Sequence, residues 1–99
     1  MVYLYAEHVI DDYERWVRHH EANAETRAAH GSLGTQVFRT RDEQADRTTL
    51  LVIQEIDDDR LEEALDYFGS EEFRATLEDA GVIEVRDAGL LDRVHVQDA

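Results

Sequence analysis

Residues Asp11–Gly31, DDYERWVRHHEANAETRAAHG, read as one long amphipathic helix, and the placement of that helix decides the fold. Asp11 can act as its N-cap, and Glu14, three residues on, can complete a capping box. Gly31 supplies the permissive backbone position at which a helix ends. At 100° per residue from Tyr13, the side chains of Trp16, Val17, His20, Ala24, Arg27 and Ala28 share one face, while Arg15, Arg18, His19, Ala22, Glu25 and Ala29 point away. The inward face thus carries an indole and, at its centre, the His20 imidazole.

The segment feeding this helix, Val2–Val9, alternates as a β-strand, with Val2, Leu4, Ala6 and His8 on one face and Tyr3, Tyr5, Glu7 and Val9 on the other. After Gly31, SLGTQVFRT reads as a second strand in which Gly34 signals a bulge or a close backbone approach. Arg41–Asp46 is a polar hairpin loop, and Thr48–Ile56 a third strand with Leu50, Val52, Gln54 and Ile56 opposing Leu51, Ile53 and Glu55. The acidic run Asp57–Asp59, with Asp59 and Glu62 at capping-box spacing, starts a helix with the stripe Leu61, Ala64, Leu65, Phe68 and a stop at Gly69. Ser70 caps a short helix facing inward with Phe73, Leu77 and Ala80 and closed by Gly81. Asp87-Ala88-Gly89 reads as a turn, and Leu90–Val96 as a fourth strand.

The order β-α-β-β-αα-β is that of two βαβ units joined by a hairpin: a ferredoxin-like α+β domain over residues 1–99, with a four-stranded antiparallel sheet and helices on one face. Strands one and three are apolar on both faces, so the uncovered face calls for a second copy, and a homodimer packed sheet to sheet is expected. A chain of 99 residues buries only about 60–70% of its unfolded surface alone, which favours the same conclusion.

The formal charge is −14, with 24 acidic residues against 10 basic, and lysine is absent. A charge of this sign and size disfavours nucleic acid and anionic membranes as partners. It is tolerable where salt screens repulsion beyond about 3 Å, as at 1 M ionic strength, and the composition resembles that of proteins from salt-loving archaea. No apolar run reaches the roughly 20 residues of a membrane span, and no signal-peptide pattern opens the chain, so a cytoplasmic location is expected. There is no cysteine, no glycine-rich phosphate loop and no serine elbow, which leaves thiol, nucleotide and acyl-transfer chemistry unsupported.

The strand ending in His8, then Val9-Ile10-Asp11-Asp12-Tyr13 with Trp16 and Arg27, the Gly31 break, Val37-Phe38, Ser70-Glu71-Glu72-Phe73 and Ala80-Gly81-Val82 together resemble small members of the dimeric α/β-barrel superfamily, relatives of antibiotic-biosynthesis monooxygenases and polyketide cyclases. The resemblance spans Val2 to about Leu91. It implies a pocket between sheet and helices and catalysis that is often cofactor-free; no cofactor is expected here.

His8 and Gln54 share the helix-facing side of the sheet near strand ends, and Trp16 begins one turn into the following helix, so the three can converge on a small-molecule pocket. Tyr13, Phe38, Phe68 and Phe73 are candidate aromatic walls, and His8 and His20 the candidate catalytic groups. Packing accounts equally well for Trp16 as a core anchor and for the imidazoles as backbone-bonded groups. The adjacent pair His19-His20 diverges by about 100° on a helix and lacks a third ligand at helical spacing, so no metal site is expected. Glu7 and Glu55 lie on the dimer-facing side. Two functions fit: a cofactor-independent monooxygenase or cyclase acting on a hydrophobic, aromatic molecule, or a non-catalytic binding or sensing module. Haem degradation, also found in the superfamily, ranks lowest, because no Asn-Trp-His constellation maps onto the chain.

Overall fold

In the computed structural model, which describes residues 1–41 and 47–99, the strands β1 (Val2–Ile10), β2 (Ser32–Arg39), β3 (Thr48–Ile56) and β4 (Val82–Asp92) form one antiparallel sheet ordered β2-β3-β1-β4. The helices are α1 (Tyr13–Ala22), α2 (Ala24–Ala29), α3 (Leu61–Phe68), entered through a 3-10 turn at Asp58–Arg60, and α4 (Glu71–Asp79). This is the ferredoxin-like α+β arrangement expected. Of the hairpin loop read at Arg41–Asp46, residues 42–46 lie outside the described residues.

β1 and β3 pair from Val2 opposite Ile56 to Ile10 opposite Thr48 without interruption. The strict alternation of β3 therefore puts Leu50, Val52, Gln54 and Ile56 against the helices, all buried, with Leu51, Ile53 and Glu55 on the other face. Ile10, Leu50 and Ile56 are fully enclosed, each worth about 1.5–3 kcal/mol of transfer free energy. One core cluster joins Ile10, Trp16, Leu50, Val52 and Ala80; another joins Val2, Ile56 and Ala64. On the far side of the sheet Phe38, opposite Leu51, and Leu91, opposite Tyr3, are about half exposed.

The structure changes four local readings. The long helix is two: it breaks at Asn23, whose side chain donates to the Tyr67 hydroxyl at 3.0 Å. Asparagine is a poor interior helix residue because its amide finds partners off the helix, as it does here. The break rotates the inward face, so Ala24 and Ala28 are exposed while Arg27 is buried. The N-cap of α1 is Asp12, accepting from the Glu14 and Arg15 amides at 3.0 and 3.4 Å, and Asp57 rather than Asp59 caps the turn before α3, accepting from the Asp59 amide at 3.0 Å. In α3 it is Tyr67 that is buried, stacked on His30 at 4.2 Å, while Leu65 is 38% exposed.

The largest change is β4, which starts at Val82 and ends at Asp92, so Asp87-Ala88-Gly89 is strand and not turn. Bulges between Ala6 and His8 and between Val9 and Ile10 absorb the misfit with β1. Gly89 gives the Tyr5 ring on the neighbouring strand room, since a Cβ there would lie 3.0 Å from it and the ring would have to shift by a few tenths of an ångström. The bulge expected near Gly34 is present, as a register shift between Ser32 and Gly34.

Gly81 joins α4 to β4 with φ +85°, and its carbonyl accepts the Asp11 amide at 3.3 Å, tying the end of the second unit to the start of the first. A Cβ at this position meets the left-handed penalty and falls 2.3 Å from Asp11 Oδ1. Gly81→Ala is expected to lower stability by about 1–2 kcal/mol in urea unfolding, chiefly through the backbone term; an unchanged midpoint would show that the turn relaxes freely.

Candidate functional site

Between the sheet and the α3–α4 pair lies a cavity of about 460 Å³, walled by Leu4, Ala6, Val52, Phe68, Phe73 and Leu77, with Val85 and Ala88 of edge strand β4 and Leu65 of α3 among its other lining residues. Its lining is predominantly apolar, with Tyr5, His8, Gln54, Ser70 and Arg74 the polar residues in it. A second hollow of about 30 Å³ sits under α1 and α2, lined by Trp16, His20, Asn23 and Arg27, and shares His8, Val52, Gln54, Phe73 and Leu77 with the first. The main cavity thus lies against the second helical pair, whereas the sequence placed it under the first helix.

His8 reaches this position because β1 alternation turns it inward and the register sets it opposite Leu50. It is 5% exposed, its Nδ1 is buried without a hydrogen-bond partner among the described residues, and its ring meets Trp16 edge-on at 6.3 Å. Burial pushes its pKa down to about 4, so the imidazole is neutral near pH 7. Trp16 in turn stacks face to face on His20, with ring centroids 4.7 Å apart. His20 Nε2 bonds Thr35 Oγ1 of β2 at 3.0 Å, and its pKa is likewise lowered to about 4, by burial first and then by the positive charge of Arg27 and by His8. Gln54 Oε1 accepts from Ser32 Oγ at 2.8 Å.

Six of the eight candidate residues come together: His8, Gln54 and Phe73 line both hollows, Phe68 the larger, and Trp16 and His20 the smaller. Tyr13 does not line either, lying behind Trp16 at 6.4 Å beneath the Arg39 guanidinium. Phe38 is on the opposite face of the sheet, because a residue paired with Leu51 must point away from the helices. Arg27 went unassigned in the sequence although it falls on the inward stripe; a cation on an apolar stripe was the available signal. Among the described residues no three His, Asp or Glu side chains are grouped to hold a metal ion, and no helix is long and apolar enough to cross a membrane.

No protein-family model and no curated protein matches the chain. Solved structures do share its fold. The cofactor-independent oxygenase SnoaB from Streptomyces nogalater superposes with a TM-score of 0.60 at 14% identity, over 96% of this chain and 93% of that one. An antibiotic biosynthesis monooxygenase gives 0.56 at 22% identity, over 96% and 100%. The de novo designed protein Foldit4 gives 0.53 at 12% identity, over 94% of this chain and 98% of that one. A designed chain among these neighbours makes plain that the likeness is one of fold, and that activity must be argued from the site.

Both imidazoles, His8 buried and His20 partly buried, titrate below their ordinary value of 6.5, so between pH 6.5 and about 4 the unfolded chain takes up protons that the native one refuses. Their contribution to stability is complete above pH 6.5 and is lost as pH falls toward 4. At pH 5 the loss is roughly 2 kcal/mol for His8 and smaller for the partly exposed, solvent-screened His20. The double variant His8→Gln, His20→Gln should therefore lose less stability than the parent between pH 7 and pH 5 in chemical denaturation; parallel pH dependences would show that the imidazoles are not held neutral.

Proposed function

We propose that the chain is a cofactor-independent oxygenase or cyclase that binds a hydrophobic, aromatic small molecule in the 460 Å³ cavity, and that it works as a homodimer in a salt-rich cytoplasm, one domain per subunit. The observation that carries this reading is His8: a neutral imidazole, buried, with an unpartnered Nδ1, in the wall of an apolar cavity. A packed core leaves no such atom unsatisfied, at a cost of about 1–3 kcal/mol. An acidic hydroxyl or activated C–H of a bound aromatic can pass its proton to such a nitrogen, and the electron-rich anion left behind is the species that dioxygen oxidises or that closes a ring. SnoaB, with the same fold, is a cofactor-independent oxygenase.

One observation favours the binding-only reading: a group whose pKa is held at about 4 is a weak base near neutrality. Oxygen uptake with a panel of hydroxylated polycyclic aromatics separates the two. For an enzyme, His8→Leu should cut turnover by about 10²-fold or more while leaving binding within a few-fold; binding without uptake in the parent would leave a sensing module.

The dimer is argued from the outer face of the sheet, where Tyr3, Tyr5, Leu51 and Ile53 are only partly covered and Phe38 and Leu91 about half exposed. The salt requirement is argued from a formal charge of −14 on each copy. In 2 M potassium chloride sedimentation should give twice 11.4 kDa, and in 10 mM salt, where the Debye length is about 30 Å, the melting temperature should fall. A monomer at high salt would remove the dimer, and an unchanged melting temperature the halophilic reading.

A further inference from the structure

Four polar side chains are buried among the described residues: His8, Arg27, Ser32 and Gln54. Ser32 Oγ donates to Gln54 Oε1. The other two, the unpartnered imidazole and a guanidinium, both line the 30 Å³ hollow at the inner side of the main cavity. Arg27 is 7% exposed, and its side chain makes one hydrogen bond, from Nη1 to the His20 carbonyl at 2.7 Å. A guanidinium carries five N–H donors in a planar fork, so most of its donor capacity is uncommitted. Three other arginines pair with carboxylates: Arg15 with Asp11, Arg60 with Glu63 and Arg86 with Glu84. In a chain with 24 acidic residues to choose from, the one buried cation has no carboxylate beside it among the described residues.

A charge removed from water and left unpaired is costly, and packing offers no return, since neutral side chains of similar size fill the same space at lower cost. The hollow also has the right scale. It exceeds the roughly 10–15 Å³ that one water needs, and it is far too small for an aromatic ring. From this juxtaposition of Arg27 with a carboxylate-sized hollow that shares five lining residues with the apolar cavity, we infer that the ligand is a monoanion: an aromatic or alicyclic body in the main cavity, within reach of His8, bearing a carboxylate that Arg27 grips. The inference rests on the proposed cavity site and narrows its ligand class, making Arg27 a specificity-determining residue.

The sole tryptophan, Trp16, lines the same hollow and reports on its occupancy by fluorescence. Three probes suffice at constant ionic strength: anthraquinone-2-carboxylate, its neutral isostere anthraquinone-2-carboxamide, and acetate alone, with calorimetry to confirm each affinity. The carboxylate should bind at least tenfold more tightly than the carboxamide. In Arg27→Gln, checked for an unchanged circular dichroism spectrum, that preference should vanish, and in Arg27→Lys part of it should remain. Equal binding of the two anthraquinones by the parent, or a preference that survives in Arg27→Gln, overturns the anion subsite and leaves the aromatic cavity intact. Saturable quenching by acetate that Arg27→Gln abolishes, with neither anthraquinone bound, supports the subsite and removes the aromatic reading. No binding of any probe removes both.

Discussion

The pairing register of β1 with β3 is the constraint on which the rest of the structure depends. A slip of one residue would turn every side chain of β1 to the opposite face, sending His8 to the outer surface and Tyr5 and Glu7 beneath the helices. The register is held from both ends by fully buried side chains: Ile56 opposite Val2, and Leu50 opposite His8. A polar residue can occupy the central strand only because apolar neighbours on both sides hold the strand in place. The cost of its unpaired nitrogen is spread over a core that has few alternatives.

A second constraint, the interruption at Asn23, shapes the hollow that encloses Arg27. Had the helix run through, Ala24 and Ala28 would have continued the inward face. The bond from Asn23 to Tyr67 instead ties α1 to α3, and α2 keeps Arg27 inward while Ala24 and Ala28 turn out. The Trp16–His20 stack then forms one wall of the space so enclosed, with Thr35 fixing the orientation of the His20 ring. Backbone geometry, stacking and a single side-chain bond thus shape a polar hollow within an otherwise apolar layer.

Much of the fold was legible because a β-strand repeats every two residues and these strands are strongly patterned: Leu50, Val52, Gln54 and Ile56 face the helices as their spacing requires. Ser70 caps α4 as its position before an acidic turn suggested. The misreadings arise where a distant partner outweighs local preference. Asp87-Ala88-Gly89 has turn chemistry, yet it pairs with β1, and Gly89 is there to admit the Tyr5 ring. Asn23 breaks a helix for a hydroxyl 44 residues away. Within the site, His8 and Gln54 could be placed from alternation alone, but Phe38 could not, because the bulge between Ser32 and Gly34 sets which residues of β2 turn inward. Arg27 was visible on its stripe and silent as to role, since only the enclosing walls show that its charge is unanswered.

The two bulges that divide β4 from β1 bear on how such a site diversifies. Val85 and Ala88 are three residues apart, yet they stand opposite His8 and Ala6, which are two apart, so both reach the cavity only because the strand slips between them. The floor of the cavity is laid down by β1 and β3, whose register is unbroken, while its mouth is drawn by an edge strand whose alignment is already loose. Substitution, insertion or deletion in β4 can therefore recut the opening without disturbing the floor. A change in the lining that β4 contributes need not disturb the two paired strands beneath it.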